Sequence, residues 1–266
     1  SVNLLTHKFI SRILALLAVG FLSSCITTTT GGFLVDTSDE RATEDYVQLA
    51  LAYFDADDMA GARRHVNNAL DINARSSEAH MVLALIFQRE GDVDLADENF
   101  RRSISLDRDN SRARNNYAAL LFEQQRYRDA FEQLRRVAND TEYEGRAIAF
   151  ENLGRAALRL NRESEAQNAF ARALQLNSNL YVSAVELSLI YLEQQDFPRA
   201  RSSYQSYLTI VEFYNVPHTP RALLAGIQIE GYYQNQKLVD DFALILSTLY
   251  QSSPEYQIYQ RLSNAL

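Results

Sequence analysis

The sequence predicts an all-α fold in which antiparallel helix pairs repeat along the chain. Large, small and aromatic side chains recur at a spacing of 34 residues from Thr43 onward, a period typical of stacked helical repeats. Short polar turn signals separate the two helices expected within each period. Nearly every residue after Glu40 falls within a repeat, so the whole of that region is expected to be one solenoid.

Five copies follow one another in register, with two inserted residues before the fourth. They span residues 43–76, 77–110, 111–144, 147–180 and 181–214. Two positions in each copy hold small residues, and a larger side chain at either would push the paired helices apart. These are Ala50, Ala84, Ala118, Gly154 and Ser188 on the first helix, and Ala62, Ala96, Ala130, Ala166 and Ala200 on the second. The pattern resembles the tetratricopeptide repeat, which implies a right-handed superhelix of five to six helix pairs.

Turn residues mark the ends of the predicted helices. Gly91 suits a left-handed helix end, and Pro198 suits a first helical turn, where its missing N–H is not needed. The register breaks after Tyr214, and we expect a degenerate sixth pair at 223–256. A final capping helix is expected at 255–266. Residues 41–266 are thus predicted to form the repeat domain.

Residues 1–24 have the layout of a secretory signal peptide. Lys8 and Arg12 precede an apolar segment from Ile13 to Leu22, which is too short for a membrane span of roughly 20 apolar residues. Leu22-Ser23-Ser24-Cys25 resembles the lipobox of bacterial lipoproteins. That resemblance implies cleavage before Cys25 and attachment of lipid to its sulfur. The alternative is a buried free thiol or half of an intermolecular disulfide.

The residue after the lipidated cysteine bears on the destination of the protein. Ile26 is not the aspartate that typically retains lipoproteins at the inner membrane, so the resemblance implies the periplasmic face of the outer membrane. Residues 25–40 contain Gly31-Gly32 and lack helical periodicity. We therefore expect a flexible tether between the lipid and the repeats.

Composition and motif spacing exclude several classes of function. The formal charge is −8, and removal of Lys8 and Arg12 with the signal lowers it to −10. Nucleic-acid binding needs a basic face, which this chain lacks. The four histidines have no zinc spacing, and no nucleophile has a base at a recognisable distance. We expect no enzyme activity, no metal and no cofactor.

A partner protein is expected in the inner groove, at first-helix positions that point away from the second helix. Carried over from tetratricopeptide arrays, these positions are Val47, Leu51, Phe54, Met81, Leu85, Gln88, Asn115, Ala119, Phe122, Glu151, Arg155, Arg159, Val185 and Leu189. The groove is apolar at both ends and charged in the middle, which suits an amphipathic helix or an extended apolar segment. The alternative is that these residues contact the next first helix and belong to the core. For Arg155 and Arg159 the alternative is a solvated charged stripe.

Three stretches narrow the resemblance further. Residues 115–130 read NNYAALLFEQQRYRDA, residues 139–143 read NDTEY, and residues 150–154 read FENLG. Together with the lipobox and the repeat number, they resemble the type IV pilus biogenesis lipoprotein family PilF/PilW. The resemblance implies a pilotin, an outer-membrane lipoprotein that binds the secretin and promotes its localisation and multimerisation. The alternative partners are β-barrel assembly proteins or cell-wall hydrolases.

Overall fold

The structure, a computed structural model, describes residues 33–264, and within that range thirteen helices form six pairs and a final helix. The first helices are α1 (Phe33–Asp55), α3 (Ser77–Glu90), α5 (Ser111–Glu123), α7 (Arg146–Arg159), α9 (Tyr181–Glu193) and α11 (Pro220–Tyr232). The second helices are α2 (Met59–Ile72), α4 (Val93–Leu106), α6 (Tyr127–Asn139), α8 (Glu163–Leu176), α10 (Phe197–Tyr214) and α12 (Gln236–Leu249), and α13 (Pro254–Asn264) follows them. The predicted all-α class is confirmed.

A single left-handed residue reverses the chain between the two helices of every pair. The six residues are Asp57, Gly91, Gln125, Asn161, Gln195 and Gln234. Only one of them is glycine, so at the other five the tight turn forces a non-glycine residue to positive φ. Side chains cap several of the following helices. For example, Asp58 accepts a hydrogen bond from the Gly61 N–H at 2.8 Å, and Asn110 accepts one from the Ala113 N–H at 2.8 Å.

The core runs between the paired helices from the first repeat to the sixth. The small residues predicted on both helices are all buried, and bulky neighbours such as Phe100, Phe170 and Tyr204 fill the space beside them. Gly154 lies against Phe170, where a Cβ atom would approach the ring to 2.7 Å. The small positions therefore set the distance between the two helices of a pair.

The ends of the array differ from expectation. Helix α1 already begins at Phe33, so residues 33–40 are helical in place of the expected tether; after Gly32 no glycine or proline interrupts the chain until Gly61. The sixth pair begins at Pro220, ahead of the expected start at 223, because Thr219 caps the helix through the Ala222 N–H. Cys25 and the predicted signal peptide lie outside the described residues.

Helix α13 packs on α11 and α12 and is the last of the described helices. None of the helices within residues 33–264 combines the length and the apolar character that a membrane crossing requires.

Candidate functional site

The predicted groove residues of the first two repeats are mostly interior. Val47, Leu51 and Met81 are 2%, 8% and 0% exposed, because α1, α3 and α5 pack against one another in succession. Phe54 and Leu85 are half-buried against the same core. At this end of the groove the predicted residues therefore contact the next first helix and belong to the core. Their side chains leave little surface for a partner.

The stack opens between the third and fourth repeats. Successive first helices pack against each other elsewhere in the array, but α5 and α7 hardly touch, and α7 lies closely along α6 instead. Six residues, 140–145, connect α6 to α7, whereas four connect α2 to α3, α4 to α5 and α8 to α9. The two-residue insertion thus coincides with a gap on the groove side of the array.

A cavity of about 180 Å³ occupies this gap, which we call the α5–α7 opening. Its lining residues are Ala118, Ala119, Phe122, Glu123, Leu134, Asn152 and Arg155. Ala119 and Arg155 occupy equivalent groove positions in their repeats and are both exposed. The small side chain of the first leaves the floor accessible, and the floor itself is apolar.

Two arginines of α7 lie over aromatic rings at the edge of the opening. The Arg155 guanidinium carbon is 5.3 Å from the centroid of Phe122, and that of Arg159 is 4.3 Å from the centroid of Tyr127. The Phe122 and Tyr127 rings are themselves in edge contact, with centroids 5.0 Å apart. The two arginines and the two rings therefore form two adjacent cation–π pairs.

The nearby acidic side chains are occupied by bonds within the protein. Glu151 accepts hydrogen bonds from the Ser183 N–H at 3.0 Å and from the Ser183 hydroxyl at 2.8 Å. This contact ties α7 to the start of α9, so Glu151 has a structural role at a position predicted to bind a partner. Glu123 accepts a hydrogen bond from Gln88 at 3.0 Å.

The remaining predicted positions are distributed along the groove. Asn115 is half-buried, and its Oδ1 atom has no hydrogen-bond partner among the described residues. Val185 and Leu189 are half-buried against the core of the last repeats. The structure thus brings together Ala119, Phe122, Arg155 and Arg159 at the opening and its edge.

Tyr127, Leu134 and Asn152 belong to the opening or its edge but were not predicted as partner-binding residues. The first two lie on a second helix, where tetratricopeptide groove positions do not occur, and Asn152 follows a groove position by one residue. The insertion before the fourth repeat was the sequence signal that could have pointed to them. It lies next to α7 and marks the junction at which the regular spacing changes.

Comparison with known proteins identifies the repeat family of the array and a relative that spans most of the chain. The tetratricopeptide repeat family model matches residues 47–96, 84–147 and 151–215, which confirms the predicted repeat. The type IV pilus assembly protein PilF of Pseudomonas aeruginosa is 33% identical over 246 residues, covering 92% of this chain and 95% of that protein.

Two solved structures are similar along most of the chain. Pseudomonas aeruginosa PilF has a TM-score of 0.78 at 32% identity, covering 84% of this chain and 99% of the other. PilW, described as a widely conserved type IV pilus biogenesis factor, has a TM-score of 0.65 at 22% identity, covering 82% and 98%. The PilF similarity extends over the α5–α7 opening as well as the repeats on either side of it.

Proposed function

Since the chain belongs to the PilF/PilW family of tetratricopeptide-repeat proteins in type IV pilus biogenesis, we propose that it is a lipid-anchored scaffold for the pilus secretin. It binds an unassembled secretin subunit, carries it to the outer membrane and promotes multimerisation there. Its contribution is binding and placement, without a catalytic step.

The α5–α7 opening is the observation that supports a groove-bound partner. A regular array would bury its groove positions between neighbouring first helices, as happens at Leu51, the counterpart of Ala119 and Arg155 in the first repeat. Here an apolar cavity stays accessible beside exposed arginines. Partner segments in such grooves use apolar anchors with flanking polar contacts, and this opening offers both.

The proposed anchor is lipid on Cys25. Each buried CH₂ of an acyl chain contributes ~0.8 kcal/mol to membrane affinity, so several chains hold the protein stably. Only residues 26–32 separate Cys25 from α1, and at ~3.5 Å per residue α1 starts within about 28 Å of the lipidated residue. The scaffold would therefore work close to the inner surface of the outer membrane.

The substitution Cys25→Ser tests the anchor and the role together. The variant should fold as the unmodified protein does, leave the outer-membrane fraction and reduce the amount of secretin multimers. Thr28→Ser, which leaves the cysteine intact, serves as the matched control and should behave as wild type. Membrane fractions, palmitate labelling and secretin immunoblots measure these effects.

Normal secretin multimers with Cys25→Ser would contradict the proposal. Pull-down of the wild-type protein from solubilised envelopes separates the alternatives. Secretin should be recovered, whereas recovery of β-barrel assembly proteins or cell-wall hydrolases without secretin would assign the scaffold to those partners.

A further inference from the structure

Arginines stacked on aromatic rings occur throughout the array, and most of them have a second partner. Five of them also form an ion pair: Arg63 with Glu90, Arg89 with Asp57, Arg162 with Glu165, Arg199 with Asp196 and Arg201 with Glu230. A sixth, Arg146, donates a hydrogen bond to the Ala138 carbonyl. Arg155 and Arg159 have only the ring contact among the described residues. Both are exposed.

Each guanidinium lies over a ring, and the N–H donors along its planar edge have no hydrogen-bond or ion-pair partner among the described residues. That edge matches a carboxylate, which accepts two parallel hydrogen bonds from it. Arg155 and Arg159 are also one helical turn apart on α7, so their like charges repel and an anion between them relieves that repulsion.

The opening carries charged side chains of both signs, Arg155 and Glu123 among its lining residues. The whole protein carries −8, yet the acidic groups nearest the opening are already bonded: Glu123 to Gln88 and Glu151 to Ser183. Both glutamates keep their charge, but neither forms an ion pair with Arg155 or Arg159 among the described residues. The two guanidinium groups are therefore available to pair directly with an anionic group.

The cavity indicates which kind of side chain would lie next to that anionic group in the partner. Ala118, Ala119, Phe122 and Leu134 supply an apolar floor and wall next to Arg155, and the volume of about 180 Å³ suits one side chain. We infer that the α5–α7 opening binds a segment of the partner polypeptide in which an aspartate or glutamate neighbours an apolar side chain. The carboxylate pairs with Arg155 and Arg159, and the apolar side chain enters the cavity.

This inference depends on the proposed function only for the identity of the partner, which we take to be secretin. The test uses the full mature protein and overlapping synthetic peptides that tile the secretin sequence. A model peptide with glutamate next to phenylalanine in an alanine–serine background, and its glutamine counterpart, provide a probe that is independent of secretin. Binding is measured by fluorescence anisotropy.

The acidic peptides should bind roughly 10- to 100-fold more tightly than their amide counterparts, as expected for a charge-assisted hydrogen bond. Arg155→Gln should reduce that difference to what Arg159 alone provides, and Arg155→Lys should restore only part of the loss because lysine lacks the planar edge. Arg172→Gln on α8 is the control, since Arg172 is exposed, donates a hydrogen bond to Gln175 and does not line the opening. Raising NaCl from about 50 to about 500 mM should weaken the acidic peptides selectively.

Equal affinity for acidic and amide peptides, absence of binding of the model peptide, or an unchanged preference in Arg155→Gln would overturn the inference. If full-length secretin still binds Arg155→Gln normally, the opening is not the site although the proposed function stands. If secretin does not bind the wild type while the model peptide does, the proposed function fails and the inferred specificity stands. Self-association that Arg155→Gln abolishes would identify a second copy of this chain as the occupant and overturn the inferred partner.

Discussion

Gly226 lies where the fifth and sixth repeats meet, and its replacement by alanine measures how tightly that junction is packed. A Cβ atom there would contact the Tyr204 hydroxyl oxygen and lie 2.7 Å from Tyr204 Cζ and 2.8 Å from Phe242 Cε2. Tyr204 is fully buried, and its hydroxyl donates a hydrogen bond to the Ala222 carbonyl at 2.8 Å. Gly226→Ala must therefore displace this ring and break a buried hydrogen bond.

The expected loss is about 1–5 kcal/mol of unfolding free energy. Overpacking a closed core costs about 1–3 kcal/mol, and leaving a buried hydrogen-bonding group without its partner costs about 1–3 kcal/mol. Alanine regains about 1 kcal/mol through its higher helix propensity. For a domain of this size the net loss lowers Tm by roughly 2–20 °C.

Gly231→Ala in the same helix is the matched control. No heavy atom lies within 4 Å of a Cβ atom at Gly231, so only helix propensity changes and stability should rise by up to about 1 kcal/mol. Urea unfolding followed by circular dichroism compares the two variants, and hydrogen exchange shows whether the loss is centred on α10, α11 and α12. If Gly226→Ala were as stable as Gly231→Ala, our account of this junction would be wrong.

Two other predictions concern buried polar groups. Arg201 donates to both oxygens of Glu230 at 3.0 and 2.9 Å, and the Glu230 side chain is 2% exposed, so Arg201→Met should cost about 3–5 kcal/mol by leaving a buried charge. Arg199→Met on the same helix removes an exposed pair and should change little; equal losses in urea unfolding would refute this. Burial lowers the pKa of His218 below its usual 6.5. Its contribution to the free energy of unfolding should therefore be fully present above pH 6.5 and should decline below that pH, because the unfolded chain takes up a proton that the folded chain does not. His218→Gln should flatten that decline in thermal melts, and an unchanged slope would contradict the assignment.

Much of the fold was predictable because each repeat is encoded locally. The 34-residue period, the small residues and the turns depend on contacts between helices that are adjacent in sequence. Gly154 against Phe170 and the left-handed Gly91 illustrate this. The boundaries were less predictable: α1 starts at Phe33 and the sixth pair at Pro220, since helix ends depend on capping and on what the helix packs against.

The sequence by itself determined the helix pairs, their order and the positions that face the groove. Only the tertiary structure decided which of those positions are accessible. Leu51 is buried and Leu85 is half-buried while Ala119 and Arg155 are exposed, although all four occupy the same groove position in their repeats. Accessibility depends on the separation of successive first helices, which the connection at 140–145 and the packing of α7 along α6 set together. Local periodicity carries no information about that long-range separation.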